Sequence, residues 1–172
     1  MGLFDFFKKK EEKKESPSLG FDLSQLKPGD ILEMEGDSWE VVDRGYYDYG
    51  DEREWDWKIA SSTKEGFLNQ DEEGIYLFWR EDIKKVFPHP PSYLKENEDL
   101  PYTIKFDTRS FELEFSGAAY YVKGEERSPV IIWDYADEEG NILEILQWGD
   151  DDFEVFLGRK IEEWEIEDVF KK

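Results

Sequence analysis

Trp55-Asp56-Trp57 returns as Trp133-Asp134-Tyr135, and the spacing of 78 residues holds without a gap through the blocks that follow. Phe67-Leu68-Asn69 is matched by Ile145-Leu146-Gln147, Ile75-Tyr76-Leu77-Phe78 by Phe153-Glu154-Val155-Phe156, and Ile83 by Ile161. A unit of this size cannot bury its apolar face alone, so a duplicated copy supplies the partner surface. Residues 88–101, with four of the seven prolines, read as the connection between the copies. This alignment requires Trp55 and Trp133 to occupy equivalent positions.

Within each copy the apolar period is two. Ile31-Leu32-Glu33-Met34 follows the turn Lys27-Pro28-Gly29-Asp30, and Glu54-Trp55-Asp56-Trp57-Lys58-Ile59 alternates strictly. Trp39 to Val42, Ile75 to Trp79, Phe111 to Phe115, Ile131 to Tyr135, Ile142 to Trp148 and Phe153 to Leu157 read as further strands. Asp71-Glu72-Glu73-Gly74 and Asp137-Glu138-Glu139-Gly140 read as hairpin turns. Strands at this spacing predict an all-β fold, two pseudo-repeated antiparallel β-meanders packed as a sandwich or barrel-like domain. Residues 1–20 form a tail and linker. The β-rich domain spans 21–172, with repeat one over about 26–87, the connection over 88–101 and repeat two over about 102–170. No long segment follows the 3.6-residue period, so the tail and Ile161 to Phe170 are the only helix candidates.

Composition narrows the chemistry. Aromatic residues make up 17% of the chain, enough to build a core despite a mean hydropathy of -0.79. The formal net charge is -22, which repels phosphate backbones and anionic lipid and favours a basic protein as partner over direct nucleic-acid contact. With no Cys there is no disulfide or thiolate chemistry, and the single His89, in Pro88-His89-Pro90-Pro91, supports neither a triad nor a His-rich zinc site. No apolar run reaches the ~20 residues of a membrane span, and no signal-peptide pattern is present, so the cytoplasm is the expected location.

The tail pairs Leu3, Phe4, Phe6 and Phe7 with Lys8, Lys9, Lys10, Lys13 and Lys14 before the linker Ser16-Pro17-Ser18. Such a patch supports weak peripheral membrane contact through residues 1–10, docking on a partner, or no contact at all. Gly2 does not signal myristoylation, because that motif needs Ser or Thr where this chain has Phe6.

Carboxylates carry little information in a chain with 44 acids, so Asp134, Asp150, Asp151, Asp152 and Glu154 do not single out a glycosidase pair. The Trp-Asp-Trp and Trp-Asp-Tyr blocks read first as core rings flanking a solvated or cross-strand-paired Asp, and second as a sugar-stacking platform. The candidate interaction surface is Leu3, Phe4, Phe6, Phe7, Trp55, Trp57, Trp133 and Tyr135. No catalytic, metal-ligating or cofactor-binding residue is assigned, and no phosphate loop, nucleophile elbow or metalloprotease helix motif is present.

Leu26-Lys27-Pro28-Gly29-Asp30, Trp39-Glu40-Val41-Val42, Trp55-Asp56-Trp57-Lys58-Ile59 and Phe67-Leu68 together resemble an uncharacterised bacterial family, the domain of unknown function 4178. Its pattern is a Leu-x-Pro-Gly-Asp start, a strand ending in Val, a Trp-x-Trp/Tyr strand and a Trp-Leu pair. Tyr135 and Phe156-Leu157-Gly158-Arg159 resemble its later part. The chain departs at Phe67, where that family commonly has Trp. The family carries no established catalytic residues, so none is transferred. The resemblance implies an accessory role in envelope-stress pathways. The function expected is a non-enzymatic accessory or protein-interaction module. An acidic nucleic-acid mimic and a sugar-binding or carboxylate-using enzyme are the alternatives.

From residue 16 onward 40 acids face 17 bases. Their mutual repulsion disfavours the compact state, and salt at ~0.15 M screens it over ~8 Å. The melting temperature at pH 7 is therefore expected to rise with sodium chloride. A fall would mean that ion pairs with the 17 bases organise the surface instead.

Overall fold

The computed structural model describes residues 22–172. The tail with Leu3, Phe4, Phe6 and Phe7 lies outside the described residues. Two hairpins set the pattern. β1 (Ile31–Met34) turns into β2 (Asp37–Asp48) through Glu35 and Gly36, and β6 (Thr103–Phe106) turns into β7 (Arg109–Lys123) through Asp107 and Thr108. All four turn residues have positive φ, from 50° to 73°, the two-residue geometry whose twist matches that of the flanking strands. Each hairpin runs into a meander. The first contains β3 (Arg53–Ala60), β4 (Glu65–Gln70) and β5 (Ile75–Glu81), and the second β8 (Glu126–Ala136), β9 (Asn141–Gly149) and β10 (Asp152–Ile161).

The described strands, with β11 (Ile166–Phe170), form one antiparallel sheet in the order β11-β1-β2-β3-β4-β5-β10-β9-β8-β7-β6. It closes on itself where Tyr46, Tyr47 and Asp48 of β2 pair with Val122, Tyr121 and Tyr120 of β7. Eight strands, β2 to β5 and β7 to β10, thus form a ring, an all-β barrel of two pseudo-repeated meanders. Eight strands enclose just enough space for packed side chains or one small ligand.

The hydrogen-bond ladders confirm the duplication but correct its alignment. The row Arg44–Trp57–Leu68–Leu77 crosses β2 to β5, and the row Ser116–Trp133–Ile145–Val155 crosses β7 to β10. Trp57, not Trp55, is therefore the counterpart of Trp133, and the spacing drifts along the chain. It is 72 from Arg44 to Ser116, 76 from Trp57 to Trp133, 77 from Leu68 to Ile145 and 78 from Leu77 to Val155. Bulges at Val41/Asp43 and Leu113/Phe115 also stand 72 apart. The ungapped alignment placed Phe67 on Ile145, yet Phe67 packs in the barrel interior and Ile145 outside it. A one-residue slip exchanges the faces of a strand, so an alternating sequence hides such gaps.

Beyond the bulges, the pleat divides the apolar residues among three clusters. The interior holds Tyr47, Tyr76, Phe78, Ile132, Leu146 and Phe156. Outside the first meander, Trp39, Trp57, Ile59, Leu68 and Leu77 are covered by Leu23, Leu26, Leu32 and Ile166. Outside the second, Trp133, Tyr135, Ile145 and Val155 are covered by Val86, Leu100 and Ile104, with Tyr93 and Leu94 against them. Two short helices, α1 (Ile83–Val86) and α2 (Pro90–Asn97), supply part of that second cover. The proline-rich connection is thus helical in part, because Pro90 and Pro91 stand in the first turn, where a missing N–H costs nothing. Conversely, Ile161 to Phe170 is not a helix. It ends β10, makes a 3-10 turn at Glu163–Glu165 and continues as β11 against β1.

Asp30 fastens this last strand. Its carboxylate is fully buried and accepts from the Lys27 amide at 3.0 Å, the Lys171 ammonium at 2.7 Å and the Lys172 amide at 3.0 Å. Burial pushes its pKa up, but Lys171 and the two amides outweigh that and hold it below the ordinary value. Gly29, at φ 99°, makes the Lys27–Asp30 turn that aims the carboxylate. Asp30→Asn is expected to cost about 2 kcal/mol in urea denaturation, the cost of weakening a buried charged hydrogen-bond cluster. Stability unchanged within 0.5 kcal/mol would show that β11 is held by its ladder alone.

Candidate functional site in the barrel interior

The pleat that sends Trp57 and Ile59 outward sends Glu54 and Asp56 inward, and the one that sends Trp133 and Tyr135 outward sends Asp134 inward. The paired rings are anchored in the outer clusters. The Trp57 indole donates to the Leu26 carbonyl at 3.2 Å, the Trp133 indole to Asp99 at 2.8 Å and the Tyr135 hydroxyl to the Pro101 carbonyl at 2.8 Å. Trp57, Trp133 and Tyr135 are buried and present no stacking surface. Half-buried Trp55 carries the Arg44 guanidinium 4.3 Å above its ring. The Asp between the rings is not solvated, as the alternation had led one to expect. Asp56 and Asp134 are both buried, because the second face of these strands is a barrel interior rather than a surface.

Four acids meet in that interior: Glu54, Asp56, Asp134 and Glu144. The Tyr121 hydroxyl donates to Asp56 at 2.9 Å, reaching across β2 where Gly45 leaves room for it. A Cβ at that position would collide with the tyrosine ring. The Asn69 amide donates to Glu54 at 3.2 Å. Asp134 stands opposite Glu144 in the β8–β9 ladder, and neither of its oxygens has a donor among the described residues. Two carboxylates cannot bond each other, but a shared proton supplies the donor. Burial, and then the charge of Asp134, pushes Glu144 well above the ordinary carboxyl range, and burial likewise raises Asp134. Glu54 is raised well above it by burial and by the charges of Glu144 and Asp71. Burial pushes Asp56 up to about 7 against the opposing Tyr121 hydrogen bond.

Beside these acids lies a cavity of about 150 Å³, lined in part by Asp56, Asn69, Tyr121, Glu144, Trp148 and Phe156. Its outer side carries Arg80, more than half exposed, paired with Glu154 at 2.7 Å, and the Trp148 indole donates to the same carboxylate at 2.7 Å. Asn69 Oδ1 is a buried acceptor with no partner among the described residues. The repeat has diverged here. The ladder row Gly45–Asp56–Asn69–Tyr76 corresponds to Gly117–Ile132–Leu146–Glu154, so Asp56 and Asn69 stand where the other copy has Ile132 and Leu146, and Tyr76 where it has Glu154. No three His, Cys, Asp or Glu groups among the described residues gather to hold a metal ion. A larger cleft of about 440 Å³ is lined in part by Tyr120, Ile131, Arg127 and Asp48, with Arg127 facing Asp48 at 3.8 Å.

Of the carboxylates noted in the sequence, Asp134 lies in the interior and Glu154 lines the cavity, while Asp150 and Asp151 are exposed in the β9–β10 turn and Asp152, also exposed, opens β10. Glu54, Asn69, Tyr121 and Glu144 were not singled out. The signal for Glu144 was a lone acid inside the apolar run Ile142 to Leu146. Among the described residues no helix is long and apolar enough to cross a membrane.

The family described as a domain of unknown function, DUF4178, matches residues 27–163, and the chain belongs to it. An uncharacterised protein of Aquifex aeolicus (strain VF5) is 36% identical over 166 residues, covering 96% of this chain and 94% of the relative. No solved structure matches.

Acids whose pKa is raised on folding stabilise fully below their unfolded value, and that stability is lost as pH rises through the folded value. Asp56, raised from 3.8 to about 7, and Asp71, raised from 3.8 to about 6, place this loss between roughly pH 4 and 7. Asp30 and Asp43, both lowered, act in the opposite sense only below about pH 4. The melting temperature is expected to climb by several degrees from pH 8 to pH 5, with a shallower slope in Glu144→Gln. A flat profile would mean that the interior acids are ionised in the folded protein.

Proposed function

We propose that this member of the family is a non-enzymatic accessory module of the bacterial cytoplasm that binds one small polar molecule inside its barrel. The observation that carries the reading is the cavity of about 150 Å³ in the barrel, lined by the buried Asp56, Asn69 and Glu144 together with Tyr121. The cavity combines rings, from Tyr47, Phe67 and Phe156, with a few converging polar groups, which is the usual make-up of a small-molecule site. A binding role is favoured over catalysis because the proton-sharing pair is half hidden. Glu144 lines the cavity and Asp134 does not, whereas acid–base catalysis needs both partners within reach of the substrate.

Thermal denaturation of the full chain against cationic, neutral and anionic compounds that fit this cavity tests the reading. At least one class should raise the melting temperature, and Leu146→Phe, which fills the cavity from its apolar wall, should abolish the shift while remaining folded. No shift from any of the three classes would overturn the proposal.

A further inference from the structure

We propose that the N-terminal segment of this chain docks in the cleft where β2 and β7 part, with Phe4, Phe6 and Phe7 in the cleft and Lys8, Lys9 and Lys10 against the acids beside it. This docking stands apart from the reading of the barrel interior. It begins with a strand edge. On one side β7 pairs with β8 from Glu112 to Lys123. On the other side β6 pairs with Arg109 to Glu112, and β2 with Tyr120 to Val122. The Leu113 amide still donates to the Tyr102 carbonyl, but Ser116 to Ala119 have no backbone partner on that side among the described residues. An open strand edge is a template for a further extended segment.

The cleft of about 440 Å³ opens at this edge. Its lining takes in Asp48, Tyr49 and Gly50, at and just beyond the end of β2, and Ala118, Ala119 and Tyr120 of β7. Tyr120 and Ile131 in its wall are 44% and 42% exposed. The register Tyr120–Pro129 and Ala118–Ile131 sets these two on one face as diagonal neighbours. Large apolar side chains scattered singly over a surface need no partner, whereas exposed ones grouped in one cleft mark an interaction site.

Charge and reach select the occupant. Two acids, Asp48 and Asp150, line the cleft, and Asp151 and Asp152 follow in the chain. The base in the lining, Arg127, lies 3.8 Å from Asp48 and 4.1 Å over the Tyr120 ring. From residue 16 onward 40 acids face 17 bases, which repels an anionic partner or an anionic lipid surface. Residues 1–15 have the opposite balance, five lysines against four acids, and Lys8, Lys9 and Lys10 directly follow the apolar group. The described chain starts beside β2, where the Ser24 carbonyl accepts from the Arg44 guanidinium at 2.6 Å. Asp48 stands four residues further along that strand, about 13 Å away. The fifteen residues from Phe7 to Asp22 span up to about 50 Å when extended, so the segment reaches the cleft of its own chain. A tether of this kind sets a local concentration of roughly millimolar, which favours the chain's own segment over that of a second copy.

The chain has no cysteine, so an introduced pair reports on docking in the full-length protein. Asp5→Cys with Ala118→Cys places one thiol among the three Phe residues and one in the cleft. Asp5→Cys with Thr63→Cys is the control, because Thr63 is exposed in the β3–β4 turn at the far end of β3. Disulfide closure in glutathione disulfide is followed by mass spectrometry and non-reducing gels, and each rate is corrected for the reactivity of its body cysteine toward free glutathione disulfide. The Ala118 pair should close within one chain about tenfold faster than the Thr63 pair or more. Phe4→Ser, Phe6→Ser and Phe7→Ser together should bring it down to the control rate, and so should Ile131→Asp with the segment intact. Equal rates for the two pairs would overturn the proposal, and flotation of the full chain on anionic vesicles would then assign the segment to a membrane. Disulfides between chains at Ala118, increasing with protein concentration and outpacing those within a chain, would also overturn it and give the cleft to the segment of a second copy.

Discussion

Three residue pairs between β2 and β7 turn a sheet into a vessel. Without Tyr46–Val122, Tyr47–Tyr121 and Asp48–Tyr120, the inner faces of the two meanders would meet water along an open seam, and the acids on them would be ordinary surface carboxylates. The same closure brings Tyr121 over Gly45 to Asp56, linking β7 to β3 across the strand between them. It also encloses the cavity and gives the inner carboxyls their raised pKa values, because burial is the leading cause for each of them.

Duplication explains how a chain of 172 residues affords such a closed shape. Each meander buries its outer face under its own cover, β1, β11 and the 3-10 turn at Leu23–Gln25 for the first, and β6 with the short helices for the second. The inner faces then have only each other. The outer positions have stayed alike, with Trp57 and Trp133 in matching places, while the inner ones have diverged to Asp56 and Ile132, and to Asn69 and Leu146. The shell has stayed alike while the lining has diverged, and each meander brings its own acids to the interior, Glu54 and Asp56 from the first and Asp134 and Glu144 from the second. Part of the large negative formal charge sits on these buried acids, whose pKa values burial raises.

The strands, the turns at Asp71–Gly74 and Asp137–Gly140 and the existence of a repeat were legible in the sequence, because period-two alternation and acidic Gly turns are local signals. The true spacing was not. The drift from 72 to 78 residues is set by bulges and loop lengths, and alternating apolar residues match at several offsets. Nor was the barrel interior legible. In an open sheet, Asp56 between Trp55 and Trp57 means a solvent face, and only closure through β2 and β7 makes it an inner one. The helix at Pro90–Asn97 was hidden by prolines that usually break helices but here stand at the start of one.

The infrared absorption of protonated carboxyl groups in the folded chain at pH 7 tests the central claim most directly. The account predicts a distinct carboxylic-acid carbonyl band that persists at pH 7, diminishes in Glu144→Gln and disappears on unfolding in urea at the same pH. A folded protein with no such band at pH 7 would contradict it, because its interior acids would then be ionised and the barrel would be open to water.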